Sequence, residues 1–127
     1  MRLLLDTHVF LWWQTEDIRL VAAVRDQIRG ANEVHVSAAT AWEITIKQTL
    51  GKLEGVRGAA TIGAAVAEQG FLELPVSVAH AERVLTLPLH HRDPFDRLLV
   101  AQSMCEDLAL VTHDRPLAAY GVPIVWT

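Results

Sequence analysis

Four carboxylates occupy positions from which they could do chemistry together. Asp6 follows the apolar run Arg2-Leu3-Leu4-Leu5, and Asp114 follows Ala-Leu-Val-Thr at residues 109–112. Glu43 lies inside the helical pattern AATAWEITIKQTLGK, and Asp96 comes three residues after Asp93 in RDPFDRLLVAQ. Each has a plainer use. Asp6 could cap the helix that follows it, and Glu43 could pair with Lys47 one turn on. Asp93 and Asp96 are spaced as a capping box, and Asp114 could be a turn residue ahead of Pro116. Four carboxylates gathered without a cation would repel one another and raise their own pKa values. Hard divalent cations, Mg²⁺ or Mn²⁺, take oxygen ligands of this kind. Held in that way, a metal can activate water for in-line attack on a phosphodiester.

Such a pocket requires a frame that brings residues 6, 43, 96 and 114 together. The chain alternates short apolar runs with helical stretches. Strands are expected at RLLL, EVHVS, FLELPV, ALVT and PIVW. Helices are expected over VFLWWQ, VAAVRDQIRG, AATAWEITIKQTLGK with Ser37 as cap, IGAAVAEQG, SVAHAERVLTL and DPFDRLLVAQSMCEDL, with a helical turn at RPLAAY. In the last long helix Asp93 is placed as N-cap and Pro94 at the first helical position. Alternation of this kind predicts crossover connections and a mostly parallel sheet covered on both faces. The functional crevice of such sheets lies outside the carboxyl ends of the strands, where Asp6 and Asp114 both fall. On the third helix, spacing aligns Ala39, Glu43, Ile46 and Leu50, with Trp42 beside them. This puts an acid in the middle of an apolar face, which is costly unless it is paired or binds a metal.

Composition sets the outer bounds. At 127 residues the chain is read as one domain, residues 1–127, long enough to bury roughly two thirds of its unfolded surface. The single cysteine, Cys105, excludes an internal disulfide and a cysteine-based metal cluster. No signal peptide or membrane span is expected, so the reading is cytoplasmic. A net charge of −4 is unlike a nonspecific nucleic-acid binder, although acids that bind cations reverse the local field. The six histidines lack zinc-ligand spacing, and the neighbours His90 and His91 would diverge on a regular element. His8 and His113 adjoin proposed catalytic acids and could touch substrate. Trp12, Trp13 and Trp42 are read as core or dimer packing rather than base-stacking surfaces.

The segments LLLDTH, WEITIKQTLGKL, HRDPFDRLLVAQ and LVTHD, in this order, together resemble the PIN domain. More narrowly, they resemble the VapC toxins of type II toxin–antitoxin systems. The resemblance implies a three-layer α/β/α sandwich around a parallel sheet and a Mg²⁺- or Mn²⁺-dependent endoribonuclease. Carried across by position, the family's acidic quartet falls on Asp6, Glu43, Asp96 and Asp114 as catalytic and metal-binding residues. Asp6 and Asp96 would be the direct ligands, with Glu43 and Asp114 completing the site or orienting water. Thr7 and Thr112 would hydrogen-bond the acids or a water, and Arg97 and Arg115 would contact substrate phosphate. An RNA substrate, a small VapB-like antitoxin and a homodimer are the partners implied. Other readings were weighed. A haloacid-dehalogenase-type phosphatase wants a second Asp where His8 stands, and a dinucleotide-binding module wants a glycine-rich loop that is missing after Leu5. A PIN-fold nuclease acting on DNA, or processing RNA without an antitoxin, stays open, as does a non-catalytic PIN-fold binding domain.

Overall fold

The computed structural model describes residues 1–53 and 61–127. Five strands, β1 (Arg2–Leu5), β2 (Glu33–Ser37), β3 (Leu72–Leu74), β4 (Ala109–Thr112) and β5 (Ile124–Trp126), form one sheet in the order β3-β2-β1-β4-β5. All four pairings are parallel. The helices between them are α1 (Thr7–Thr15), α2 (Ala22–Gly30), α3 (Ala38–Thr49), α4 (Ile62–Glu68), α5 (Val78–Val84) and α6 (Pro94–Glu106). Between β4 and β5 the chain makes a 3-10 turn, Arg115–Tyr120. Expected and observed elements coincide within a few residues. The third strand is shorter than FLELPV, because Pro75 has no N–H to offer the ladder.

Alternation along the central strand divides the core into two layers. Leu3 and Leu5 face one way, into a cluster with Val9 and Phe10 of α1, Val24 and Ile28 of α2, Ile44 of α3 and Val66 of α4. Leu4 faces the other way and packs with Leu99 and Val100 of α6, Leu110 of β4 and Leu117 of the 3-10 turn. The result is a PIN-like α/β/α sandwich. All three leucines are fully buried, and truncating one to alanine costs roughly 2–5 kcal/mol. No helix among the described residues is long and apolar enough to cross a membrane.

Two consequences of this topology position the site. Leu5 is aligned with Val36 of β2 and Val111 of β4, so the chain leaves all three strands at one edge. From β1 the chain moves towards β2, whereas from β4 it moves towards β5, which makes the β1/β4 boundary the topological switch point. Helix α6 feeds β4 from the opposite edge, so its N-terminus returns to the carboxyl edge where β1 and β4 end.

Candidate active site

Asp6 is 2% exposed at the end of β1. Its backbone N–H continues the ladder by donating to the Val111 carbonyl at 3.0 Å. One carboxylate oxygen, Oδ1, accepts the Val9 N–H at 2.8 Å and caps α1. The other, Oδ2, accepts the Thr112 hydroxyl at 2.5 Å. The capping use and a place in the pocket are therefore compatible, one oxygen to each. Burial pushes the Asp6 carboxyl above the usual carboxylate range, opposed by the bonds from Thr112 and Val9 and by the nearby rings of His8 and His113.

Glu43 is 5% exposed on α3. The Thr7 hydroxyl donates to Oε1 at 2.6 Å, and the Lys47 ammonium to Oε2 at 2.8 Å. Thr7 also lies 3.2 Å from the Thr40 hydroxyl. The inward face of α3 is Ala39, Thr40, Glu43 and Ile44, so the expected stripe is corrected. Ile46 is only half-buried and Leu50 is exposed. What covers Glu43 is the polar β1–α1 junction, through Thr7, rather than an apolar layer. Lys47 and Thr7 together supply the pairing that a buried carboxylate needs.

The third element is the start of α6. Asp93 caps it, its Oδ1 accepting the N–H groups of Phe95 at 2.8 Å and Asp96 at 3.3 Å. The reciprocal half of a capping box does not form. The Asp93 N–H donates instead to Nδ1 of His91 at 3.0 Å, which leaves the Asp96 carboxyl directed at the other acids. That carboxyl is pushed up to about 7, first by burial and then by the negative charges of Asp93, Asp6 and Asp114, with His91 opposing. Asp114 precedes the 3-10 turn, and its side chain makes no capping hydrogen bond there. Its backbone N–H donates to the Thr112 hydroxyl at 3.0 Å, so Thr112 links Asp6 and Asp114.

His91 joins the acids although its spacing in the sequence does not mark it as a site residue. Its Nε2 lies 2.7 Å from Asp114 Oδ2 and 3.5 Å from Asp96 Oδ2. Ligand atoms of His91, Asp96 and Asp114 all fall within 4.8 Å of one another. The available signal was its place two residues before a helix cap, where an irregular backbone can turn a ring back over the first turn. Pairwise divergence of His90 and His91 holds on regular elements only, and residues 91–93 lie in none.

The arginines expected at phosphate are differently employed. Arg97 donates to the carbonyls of Pro88, Val84 and Leu87 and to the Tyr120 hydroxyl, at 2.9–3.3 Å. Both of its terminal nitrogens are engaged, which weighs against the phosphate contact expected of it. Arg115 is exposed, with its guanidinium 4.3 Å over the Trp126 ring. Beside Asp6, the rings of His8 and His113 meet edge to face at 5.5 Å, and Trp12 backs His113 at 4.7 Å. Trp12 is core, whereas Trp42 is 61% exposed and is not.

Asp6, Asp96 and Asp114 thus gather at the switch point, whereas Glu43 is bonded to Thr7, the residue after Asp6. The donors fit a divalent cation: they are predominantly carboxylate oxygens, and burial together with the neighbouring acids disfavours the charged form of Asp96 when no cation is bound. Comparison with known proteins agrees with this architecture. The PIN domain family profile matches residues 3–122. Ribonuclease VapC22 of Mycobacterium tuberculosis (strain ATCC 25618 / H37Rv) is 29% identical over 123 residues, covering 94% of this chain and 92% of that protein. Among solved structures, VapBC2 from Rickettsia felis bound to a promoter DNA fragment aligns with a TM-score of 0.68 at 10% identity, covering 98% of each chain. A toxin–antitoxin complex from Klebsiella pneumoniae aligns at 0.65 and 18% identity, covering 97% of this chain and 95% of that one. The chain belongs to the PIN-domain family.

Proposed function

We propose that this chain, as one domain, is a Mg²⁺- or Mn²⁺-dependent endoribonuclease and the toxin of a VapBC-type pair acting in the cytoplasm. The observation that carries the reading is the convergence of Asp96 and Asp114 with Asp6 at one strand edge, where burial first and the neighbouring negative charges second push the Asp96 carboxyl up to about 7. Asp6 and Asp96 would be the direct metal ligands, with Asp114 and Glu43 completing the site, and Asp6 is held in a fixed orientation by Val9 and Thr112. When bound, the metal supplies Lewis-acid activation of water and neutralises charge at the phosphodiester. Thr112 keeps one Asp6 oxygen and the Asp114 backbone in register, and Thr7 with Lys47 fixes the orientation of the Glu43 carboxylate. Nothing in this set offers an activated serine or cysteine, so hydrolysis proceeds without a covalent enzyme intermediate. The activity follows the ribonuclease relative, which matches nearly end to end. The antitoxin partner follows the toxin–antitoxin complexes with which the fold aligns, and a homodimer is the expected assembly.

The test is cleavage of single-stranded RNA by antitoxin-free protein, with Mg²⁺, Mn²⁺ or EDTA, alongside Asp96→Asn and a single-stranded DNA arm. Discrete RNA fragments that require both metal and Asp96 are expected. Cleavage that persists in EDTA or in Asp96→Asn, or cleavage of DNA alone, overturns the reading.

A further inference from the structure

One side chain in the pocket has no part in the acidic quartet, and its hydrogen bonds fix what it can do there. The backbone N–H of Asp93 donates to His91 Nδ1 at 3.0 Å. A ring nitrogen that accepts an N–H carries no proton, so the imidazole's proton is on Nε2. That nitrogen is directed at Asp114 Oδ2, 2.7 Å away, with Asp96 Oδ2 at 3.5 Å. In this tautomer Nε2 has no lone pair to give a cation, and the lone pair of Nδ1 is already engaged by backbone. Proximity alone would make His91, Asp96 and Asp114 a three-ligand set, but the hydrogen-bond pattern makes the ring a donor.

We infer that His91 is a positioning residue for the metal site and not a ligand: the N-cap backbone of α6 orients the ring, and the ring orients the Asp114 carboxylate. The ring is 16% exposed, which leaves little room for another rotamer. The start of α6 therefore sets two of the acids, Asp96 directly and Asp114 through His91. Partners of this kind that act through a ligand are worth roughly 10–100-fold in metal affinity. This inference rests on the metal-site reading above.

The experiment is Mn²⁺ binding by calorimetry to metal-free protein, with a thermal melt to verify folding, for wild type and three substitutions. His91→Leu neither donates nor ligates, His91→Gln donates through its amide, and His91→Glu can ligate but cannot donate. A donor role predicts that His91→Leu binds Mn²⁺ roughly tenfold or more weakly, that His91→Gln recovers most of the loss, and that His91→Glu recovers none. In ¹⁵N-labelled protein the Nε2–H form should persist when Mg²⁺ is added. Wild-type affinity in His91→Glu, or loss of the Nε2–H form on adding Mg²⁺, would make the ring a ligand and overturn the inference, as would unchanged affinity in a folded His91→Leu. Absence of any Mn²⁺ binding by wild type removes the metal-site reading itself, and this inference with it.

Discussion

The molecule contains the same histidine arrangement twice, in opposite surroundings. His80, on α5, accepts the Ser77 N–H on Nδ1 at 3.0 Å and faces Glu106 through Nε2 at 2.9 Å. His91 accepts the Asp93 N–H on Nδ1 at 3.0 Å and faces Asp114 through Nε2 at 2.7 Å. Around His80 the polar groups are balanced. Ser37 donates to Gln102 Oε1 at 2.5 Å, and Gln102 Nε2 donates to the Pro75 carbonyl at 3.3 Å. Glu106 has its side chain 41% exposed to water. Around His91 the carboxylates outnumber the donors. Among the described residues the Asp96 carboxyl has no donor closer than the ring at 3.5 Å, and it is pushed up to about 7. A buried polar cluster whose donors and acceptors match holds a fold together. One with surplus negative charge is relieved by a proton or a cation.

If that contrast is sound, removing a polar group should act in opposite directions in the two regions. Asp96→Asn should reduce Mn²⁺ affinity and RNA cleavage by roughly 100-fold or more. The same change should raise the stability of the metal-free protein, by on the order of 1–3 kcal/mol at pH 8, since a strained charge is removed. Urea denaturation in EDTA reads the second effect, and a destabilised Asp96→Asn would break the comparison. Gln102→Leu should do the reverse. It removes the acceptor of the buried Ser37 hydroxyl and the donor to the Pro75 carbonyl, at a cost of about 1–3 kcal/mol, with Mn²⁺ affinity unchanged.

The pH dependence sharpens the same point. Folding raises the Asp96 pKa from 3.8 to about 7. Its contribution to stability is therefore fully present below about pH 4 and is lost as pH rises through 7. Metal-free protein should lose stability between about pH 4 and 7, and Asp96→Asn should flatten that slope. Because the cation competes with this proton, Mn²⁺ affinity should rise over the same interval. The smallest effect belongs to Arg115. Replacing it with alanine removes its contact with Trp126 and should cost about 0.5–1 kcal/mol, and an RNA-binding isotherm then tells whether the exposed guanidinium also meets phosphate.

The fold was legible because its signals are local. Buried runs such as Leu3-Leu4-Leu5 and the helix starts at Ser37 and at Asp93-Pro94 mark their elements without outside help. Asp6 and Asp114 are legible as strand-end residues, Asp96 as a helix-start residue and Glu43 as an acid on the inward side of a helix. Three things depended on tertiary contacts. The inward face of α3 turned towards Thr7, where spacing alone favoured Ile46 and Leu50. Arg97 was claimed by the carbonyls of Val84, Leu87 and Pro88. His91 entered the pocket through an irregular backbone, where periodicity carries no information.

The bond from Thr112 to Asp6 joins positions 106 residues apart, and this has a consequence for synthesis. The pocket draws on residue 6 and on residues 91, 96, 112 and 114, and β1 lies between β2 and β4 in the sheet. A chain emerging from the ribosome carries Asp6 well ahead of His91, Asp96, Thr112 and Asp114. No nascent fragment ending before about residue 114 contains the assembled pocket, so the site can form only after that segment has been made and β4 has paired with β1.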